Sequence, residues 1–296
     1  MEKSEKIIFL GGDLRMSAAA GYLAENGRDV TVFALGGTTE KAVKCAESLS
    51  RALKGADHVV LPLPVTRDGK TLMTPLSDEV IPLDDLPGKL SQAGVKSVSG
   101  GLIPNGFRSD CERMGLPLFD YGKSDAFAIA NALPTAEGAV GIALRELPIT
   151  LSGATALVIG RGRIGRVLSR MLDRLHADVS VSARKESDLA AIRADSLHAM
   201  KSGELGKAFA AGYQPDVIFN TVPALLLDRQ TLGELKKHTL VIDLASDPGG
   251  VDKTAAAELG HRVITALSLP GRTAPVTAGR ILGELLLHAG EEAFLC

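Results

Sequence analysis

Three glycines, Gly160, Gly162 and Gly165, follow a short apolar run at the spacing of a dinucleotide-binding turn. In such a turn the first glycine allows a tight bend, the second lets the backbone approach a pyrophosphate, and the third lets the next helix pack against the strand. The N-terminus of that helix would offer unpaired N–H groups to the phosphates. A glycine turn that serves packing alone is the alternative. A second strand-like run over residues 178–183 closes a βαβ unit and favours the dinucleotide.

The second strand of this unit ends in two basic residues, Arg184 and Lys185, with Ser187 close behind. A site specific for NAD usually carries an acid here, which accepts hydrogen bonds from the ribose hydroxyls. The planar fork of an arginine can instead bind a 2′-phosphate through two hydrogen bonds. The basic pair therefore favours NADP. Because Glu186 is adjacent, NAD stays open as the less favoured cofactor, and so does a solvated basic turn that binds nothing.

In open α/β sheets, ligands bind beyond the carboxyl ends of the strands. We therefore expect the cofactor to contact the glycine turn and the ends of the strands beside it. The predicted cofactor residues are Gly160, Gly162, Arg163, Ile164, Gly165, Ala183, Arg184, Lys185, Ser187, Thr221, Val222, Pro223, Asp243 and Ala245.

Three aspartates, Asp13, Asp125 and Asp247, each follow an element that is expected to end at a ligand cleft between two domains. A carboxylate there could act as an acid or base, although capping a helix or turn is the alternative role. None of the six histidines is predicted at the carboxyl end of a strand, and His198 is expected in or beside a helix. Alcohol oxidation through a histidine base is therefore disfavoured.

Two arginines, Arg15 and Arg272, are the cations that we assign to a carboxylated substrate. A surface salt bridge is the alternative role for either of them. Ser99 and Gly100 end another predicted strand, where backbone N–H groups could bind a carboxylate. Glycine in a tight turn also has a purely steric explanation, so that alternative stays open.

Strand-like runs alternate with helical segments along the whole chain, which predicts two Rossmann-like, doubly wound α/β domains. A helix opening at Pro134 with Thr135 as its cap, and a last helix from Thr277 to about Glu292, complete the pattern. A Pro-, Gly- and Asp-rich region from Val65 to about Gly88 is predicted as a loop too polar for the core. The predicted domains are residues 1–124 for the substrate, a connecting helix at 125–148, residues 149–272 for NADP, and a C-terminal helix at 273–296 that returns to the first domain.

The composition is that of a soluble globular protein, with 45% hydrophobic residues, 23% charged residues and a net charge of −2. This balance gives no reason to expect a nucleic acid or an anionic membrane as partner. Three widely spaced cysteines argue against a metal site and for a reducing cytoplasm. The polar N-terminus is not expected to be a secretory signal, and no apolar run is expected to reach transmembrane length.

Six stretches give the chain a resemblance to the A subunits of dipicolinate synthase, a sporulation enzyme that makes pyridine-2,6-dicarboxylate. They run through nearly the whole chain in order. They are Gly11-Gly12-Asp13-x-Arg15, Asn131-x-x-Pro134-Thr135-x-Glu137-Gly138, Gly160-x-Gly162-Arg163-x-Gly165, Asn220-Thr221-Val222-Pro223, Ile242-Asp243-Leu244-Ala245-Ser246-x-Pro248-Gly249-Gly250-x-Asp252 and Leu269-Pro270-Gly271-x-x-Ala274-Pro275-x-Thr277-Ala278-Gly279.

The resemblance implies a two-domain fold like that of the 2-hydroxyacid dehydrogenases, a nicotinamide cofactor and, as partner, the flavoprotein-like second subunit of the synthase. The implied substrate is dihydrodipicolinate or its hydrated tetrahydro precursor, in the cytoplasm of the mother cell of a sporulating bacterium. A homodimer within a hetero-oligomer is the expected assembly. The resemblance adds Asn131 to Asp13 and Asp125 as catalytic candidates, Thr273 to the substrate residues, and Leu269 and Pro270 to the cofactor residues.

Two other functions stay open at this point. A dehydrogenase of the 2-hydroxyacid type would need an arginine near position 247 and a histidine at a strand end in the C-terminal quarter, where the sequence has Asp247 and no such histidine. An NADP-binding subunit that passes no hydride, with the chemistry on its partner, is the second alternative.

Overall fold

The computed structural model describes residues 5–36, 42–246 and 248–292, with side chains as far as His288. The chain divides into two units, Met1–Asn131 with Ala274–Cys296, and Ala132–Thr273. The division falls inside the stretch that the sequence predicts as a connecting helix, and the C-terminal helix belongs to the first unit.

Twelve strands and thirteen α-helices form the described part of the chain. The strands are β1 Lys6–Leu10, β2 Asp29–Phe33, β3 Lys44–Cys45, β4 His58–Val60, β5 Ser97–Gly100, β6 Leu118–Asp120, β7 Thr155–Ile159, β8 Asp178–Ala183, β9 His198–Lys201, β10 Val217–Asn220, β11 Leu240–Asp243 and β12 Arg262–Thr265. The helices are α1 Leu14–Glu25, α2 Leu49–Leu53, α3 Leu86–Gln92, α4 Asn105–Arg113, α5 Asp125–Ala130, α6 Ala132–Glu146, α7 Arg163–Arg174, α8 Glu186–Ala194, α9 Leu205–Ala210, α10 Arg229–Gly233, α11 Lys253–Leu259, α12 Leu269–Thr273 and α13 Pro275–Glu292.

Each unit contains one six-stranded sheet, with the orders β3-β2-β1-β4-β5-β6 and β12-β11-β10-β7-β8-β9. All pairs are parallel. In both sheets the chain moves outward in one direction from the first strand and then in the other, so the order reverses between β1 and β4 and between β7 and β10. The prediction of two doubly wound, Rossmann-like domains is therefore confirmed.

Two edge strands, β3 and β9, were not predicted from the sequence. Each pairs on one side only, and both are largely exposed, so neither carries the apolar run that marks a central strand. The expectation that His198 lies in or beside a helix is wrong, because it is the first residue of β9.

The strands are buried because helices cover both faces of each sheet. In β1, Ile8 and Leu10 face α2, α3 and α4, while Ile7 and Phe9 face α1 and α13. The second sheet repeats this arrangement, with α6, α7 and α8 on one face and α9, α10 and α11 on the other.

Two helices of the first unit, α1 and α13, approach so closely that a side chain at Gly279 would collide with the backbone. A Cβ there would lie 2.5 Å from the Arg15 carbonyl oxygen and 2.5 Å from the Ala18 Cβ. The last helix therefore packs directly against the first turn of α1, which carries Arg15.

The loop after β4 contradicts the prediction that residues 65–88 are too polar for the core. Its apolar residues stand singly or in pairs such as Leu72-Met73 between turn residues, so no periodic run appears in the sequence, yet they are buried in the tertiary structure. They include Val65, Leu72, Met73, Ile81, Leu83 and Leu86.

The start of α6 also differs from the prediction, because the helix begins at Ala132 and Thr135 lies inside it. Pro134 is tolerated there since the first-turn N–H groups of a helix have no acceptor within it. The helical stretch Asp125–Glu146 is long and apolar enough to cross a membrane by length and composition, and half of its most apolar window is buried. That finding differs from the expectation that no run reaches this length. Buried core helices meet the same criterion.

His58, the first residue of β4, is buried, and its Nδ1 lies 2.7 Å from the Ser97 hydroxyl oxygen. Desolvation lowers the pKa of His58 from 6.5 to about 4. Between these values the unfolded chain binds a proton that the folded chain does not, so stability falls as the pH drops through this window. We expect a loss of up to about 3 kcal/mol in the free energy of unfolding from this group.

Urea unfolding between pH 7.5 and pH 4.5 would measure this loss. The His58→Asn variant retains a polar side chain that can pair with the Ser97 hydroxyl but does not titrate, and its stability should depend less on pH. Parallel pH profiles for the two proteins would contradict the assignment.

Candidate functional site

Glycine occupies the three motif positions after β7 for different structural reasons. Gly160 has a φ of +104°, and a Cβ there would lie 2.5 Å from the Thr221 hydroxyl oxygen. A Cβ on Gly165 would lie 2.0 Å from the Gly160 carbonyl oxygen, while one on Gly162 would meet nothing within 4 Å. Gly162 is also the N-cap of α7 and provides no capping side chain. The turn thus leaves open space beside the uncapped helix N-terminus, as a pyrophosphate requires.

The turn after β10 lies against Gly160, and the Asn220 side chain fixes its conformation by hydrogen bonds. The Asn220 Nδ2 donates to the Asp243 Oδ1 at 2.8 Å and to the Val222 carbonyl at 3.1 Å. Thr221 is fixed as well, because its hydroxyl donates to the Ile159 carbonyl at 2.8 Å. Asp243 is fully buried, and its Oδ2 has no hydrogen-bond partner among the described residues. Its side chain therefore supports this turn from the core rather than presenting itself to a ligand.

The predicted cofactor residues divide by exposure. Those that are exposed or half-buried are Gly162, Arg163, Ile164, Arg184, Lys185, Ser187, Thr221, Val222 and Pro223. Those that are buried are Gly160, Gly165, Ala183, Asp243, Ala245, Leu269 and Pro270. In this conformation the buried set shapes the site, and the exposed set is accessible to a ligand.

Arg184, at the end of β8, is exposed and makes no ion pair with any residue that the structure describes. The neighbouring Glu186 is engaged elsewhere, since the Lys201 Nζ lies 2.8 Å from its Oε1. This hydrogen bond holds the pKa of Glu186 below its usual range. In the sequence, Glu186 was the reason to keep NAD open as a cofactor. Because Glu186 pairs with Lys201, it is a weaker argument against NADP.

Asp13 and Arg15 lie where the strand order of the first sheet reverses. Asp13 caps α1 by accepting from the Arg15 N–H at 3.1 Å. Its Oδ1 also accepts from the Arg15 Nε at 3.0 Å, and its Oδ2 accepts from the Arg15 Nη2 at 2.7 Å. The same Nη2 donates to the Leu63 carbonyl at 2.8 Å, just beyond β4. The Arg15 side chain is 9% exposed, so its fork is fixed rather than a mobile surface cation.

The glycines before Asp13 are not an anion site. Gly11 N–H donates to the Phe33 carbonyl at 2.9 Å, and Gly12 N–H donates to the Met73 carbonyl at 2.8 Å. Because these donors are already used, the first turn offers no cradle like that after β7.

The other substrate and catalytic candidates are placed differently. Ser99 and Gly100 are buried within β5, and the Ser99 hydroxyl lies among core residues, so neither residue of that prediction is an accessible site. Arg272 is exposed on α12, and the Thr273 hydroxyl donates to the Leu269 carbonyl at 2.8 Å.

Asp125 is exposed in the first turn of α5, and Asn131 ends that helix, where its Nδ2 donates to the Phe127 carbonyl at 3.0 Å. Asp247 lies outside the described residues. All six histidines lie within the described residues, and none of them is at the carboxyl end of a strand. Within the described ranges, no group of three or more His, Cys, Asp or Glu side chains could hold a metal ion.

Two residues of this site were not assigned from the sequence. Asn220 appeared only as part of a motif, and Arg161 only as a spacer between glycines. Arg161 is buried and forms an ion pair with Asp195, 34 positions away in the chain. Its position inside the glycine turn was the one available signal.

Comparisons with known proteins support one family. The family model for the N-terminal domain of the dipicolinate synthase A subunit matches residues 6–122. The chain is 31% identical to the dipicolinate synthase A subunit of Bacillus subtilis (strain 168) over 287 residues, or 95% of this chain and 94% of the relative. The solved A subunit from Bacillus halodurans has 28% identity and a TM-score of 0.89, covering 99% of both chains.

A likeness of fold alone extends to dehydrogenases of the 2-hydroxyacid type. The D-lactate dehydrogenase of Escherichia coli aligns with a TM-score of 0.59 at 15% identity, covering 97% of each chain. The predicted architectural similarity to that class is confirmed.

Proposed function

The chain belongs to the family of dipicolinate synthase A subunits, and on this premise we propose that it oxidises dihydrodipicolinate, or its hydrated tetrahydro precursor, to dipicolinate with NADP. Family membership and the dehydrogenase-type fold support an oxidoreductase-type role with a nicotinamide dinucleotide. We further propose a flavoprotein-like second subunit of the synthase as partner, a homodimer within that hetero-oligomer, and a place in the cytoplasm of a sporulating cell.

The observation that carries the cofactor proposal is the open glycine turn together with Arg184, which makes no ion pair with any described residue. The space at Gly162 and the uncapped start of α7 fit a pyrophosphate. Arg184 and Lys185 are exposed at the end of the adjacent strand, where a 2′-phosphate would be recognised. Bound NADP would supply the hydride acceptor.

The reaction makes modest demands on the side chains of this chain. The dihydropyridine ring loses a hydride to NADP⁺ from one atom and a proton from its neighbour, and aromaticity of the product provides the driving force. The hydrated tetrahydro precursor must first lose a molecule of water to give the same dihydropyridine. Because loss of this proton completes an aromatic ring, the proton is more acidic than that of an ordinary C–H group. A carboxylate such as Asp125, or water held by it, is therefore a sufficient base. Asp13 is less suited to this role, since Arg15 occupies both of its oxygens.

We assign Arg15 to a substrate carboxylate. Asp13 and the Leu63 carbonyl hold its Nε and Nη2, while its Nη1 makes no hydrogen bond with any described residue. A fixed guanidinium with a donor to spare is suited to binding a carboxylate in one orientation.

A non-catalytic NADP-binding subunit is the second candidate, favoured by the engagement of the Asp13 carboxylate with Arg15. Single-turnover absorbance separates the two functions. Freshly generated dihydrodipicolinate and NADP⁺ are mixed with this chain, with and without the flavoprotein-like partner, and NADPH and dipicolinate are followed together. Stoichiometric formation of both supports hydride transfer on this chain. Formation of dipicolinate without NADPH would overturn hydride transfer on this chain. The electrons would then pass to a flavin on the partner.

Replacing Arg184 tests which dinucleotide is bound. We expect Arg184→Ala to weaken NADPH binding by roughly 10- to 100-fold, because a charge-assisted hydrogen bond to phosphate is lost. Binding of NADH should change little, since it has no 2′-phosphate. Fluorescence titration of both ligands measures this, with Arg174→Ala at the far end of α7 as the control. Equal weakening of the two ligands would refute the role.

A further inference from the structure

Arg161, between the first two glycines of the turn, extends its side chain to the far end of α8. Its Nη2 forms an ion pair with Asp195 and donates to the Ala191 carbonyl at 3.3 Å. The side chain is only 5% exposed. Its Nε and Nη1 are buried and make no hydrogen bond with any described residue. The buried charge is therefore compensated almost entirely by the end of α8.

The other end of α8 carries the residues proposed to read a 2′-phosphate. Lys185 is its N-cap, and Arg184 precedes it directly. One helix of nine residues is thus tied to the glycine turn at its C-terminus and presents a basic pair at its N-terminus. The main chain of Arg161 is fixed too, because the Arg166 Nε donates to its carbonyl oxygen at 3.1 Å.

A second arginine, Arg170, also pairs with Asp195, so the exposure of the two arginines can be compared. The Arg170 Nη2 lies 3.3 Å from its Oδ1, but the Arg170 side chain is 60% exposed. The hydrogen bonds from Arg161 and then Arg170 hold the pKa of Asp195 below its usual range. Of the two arginines, only the buried one belongs to the glycine turn.

We infer that Arg161 is a positioning residue that sets selectivity for a dinucleotide bearing a 2′-phosphate. This inference rests on the proposed function. A rigid ligand that touches the glycine turn with its pyrophosphate and the start of α8 with its 2′-phosphate requires a fixed distance between the two. Recognition of a phosphate by an arginine fork tolerates errors of only about 0.5 Å. If the ion pair between Arg161 and Asp195 is lost, α8 can shift relative to the glycine turn. Such a shift weakens binding only of the dinucleotide that carries a 2′-phosphate.

The test uses the full chain and compares Arg161→Met with Arg170→Met. Methionine replaces the buried guanidinium by an apolar side chain of similar length, which folded proteins tolerate better than an unpaired charge. Dissociation constants for NADPH and NADH are measured by fluorescence titration, with thermal midpoints in parallel. We expect Arg161→Met to reduce the NADPH-over-NADH preference roughly tenfold, while Arg170→Met preserves it.

Asp195→Asn supplies a second measurement if Arg161→Met does not fold. It keeps an acceptor for Arg161 while removing the charge, and it should lower the same preference to a smaller extent. An unchanged preference in these variants, or equal weakening of both ligands, would overturn the inference and leave Arg161 a packing role. A wild-type protein without a preference for NADPH would overturn the NADP proposal itself, and the selectivity inference with it.

Discussion

Gly162→Ala should severely weaken dinucleotide binding in a folded protein, whereas Gly165→Ala should strongly destabilise the second unit. At Gly162 the φ of −74° suits alanine, and the added methyl group meets no protein atom within 4 Å. The stability cost should stay within about 1 kcal/mol, the difference between glycine and alanine at an N-cap. The methyl group instead takes the space left for the pyrophosphate, and we expect affinity to fall by at least about 100-fold.

At Gly165 the added methyl group would lie 2.0 Å from the Gly160 carbonyl oxygen, a backbone atom that cannot move without opening the turn. Overpacking of this kind should cost about 3 kcal/mol or more. Thermal unfolding by circular dichroism and titration with NADPH separate the two effects. Gly141→Ala in α6 is the matched control, because its nearest neighbour would be a side-chain atom 3.9 Å away. Wild-type affinity in Gly162→Ala would remove this turn from the cofactor site.

Arg15→Met should disable use of the substrate while leaving the cofactor bound. The fork of Arg15 is fixed by Asp13 and by the Leu63 carbonyl, so a substrate carboxylate would meet a donor already oriented. Loss of charge-assisted hydrogen bonds to that carboxylate should lower kcat/KM by roughly 100-fold or more. Affinity for NADPH, set by the second unit, should stay within about twofold of wild type.

The control for this variant is Arg108→Met, which removes another arginine of the same unit. Arg108 donates to Asp120 at 3.2 Å and is also partly buried, so its loss gives a comparable change in charge and packing. Its effect on kcat/KM should be small. If Arg15→Met weakened the substrate and NADPH equally, or if Arg108→Met matched its effect, Arg15 would be a structural residue only.

Asp13→Asn distinguishes positioning from acid–base catalysis. Asparagine caps a helix about as well as aspartate, so α1 should keep its start. If Asp13 only holds Arg15, the variant should raise KM more than it lowers kcat, and the pH profile of kcat should keep its shape. If the decrease of kcat at low pH were present in the wild type and absent in the variant, Asp13 would be the base instead.

The dinucleotide turn could be identified from the sequence because its residues are adjacent and each type has a local reason. Gly160 needs a positive φ and Gly165 needs close packing, and glycine alone satisfies both requirements. Gly162 has neither constraint from the protein itself, and its open space is the part that the proposed pyrophosphate would use. The position of Arg184 directly after a strand was predictable as well, because strand ends follow from local periodicity. Its role toward a 2′-phosphate stays a prediction.

Residues whose roles depend on distant partners could not be identified. Ser99 and Gly100 end a strand as predicted, but burial on both faces of the sheet removes them from any accessible surface. The apolar residues of the loop after β4 lack a period, so only the folded chain shows that they are core. Asp13 was predicted either as an acid or base or as a cap, and only the folded chain shows that it caps α1 with both oxygens engaged by Arg15.

The sequence alone thus determined the fold class and the glycine turn, because hydrophobic periodicity and glycine spacing are local properties of the chain. The family was indicated by the resemblance of six stretches to a known family. Only the tertiary structure decided that Asp243 supports the turn from the core, that Glu186 pairs with Lys201, and that Arg161 pairs with Asp195. Those roles arise where separate elements pack together, and burial and pairing across such contacts leave no pattern in the order of residues.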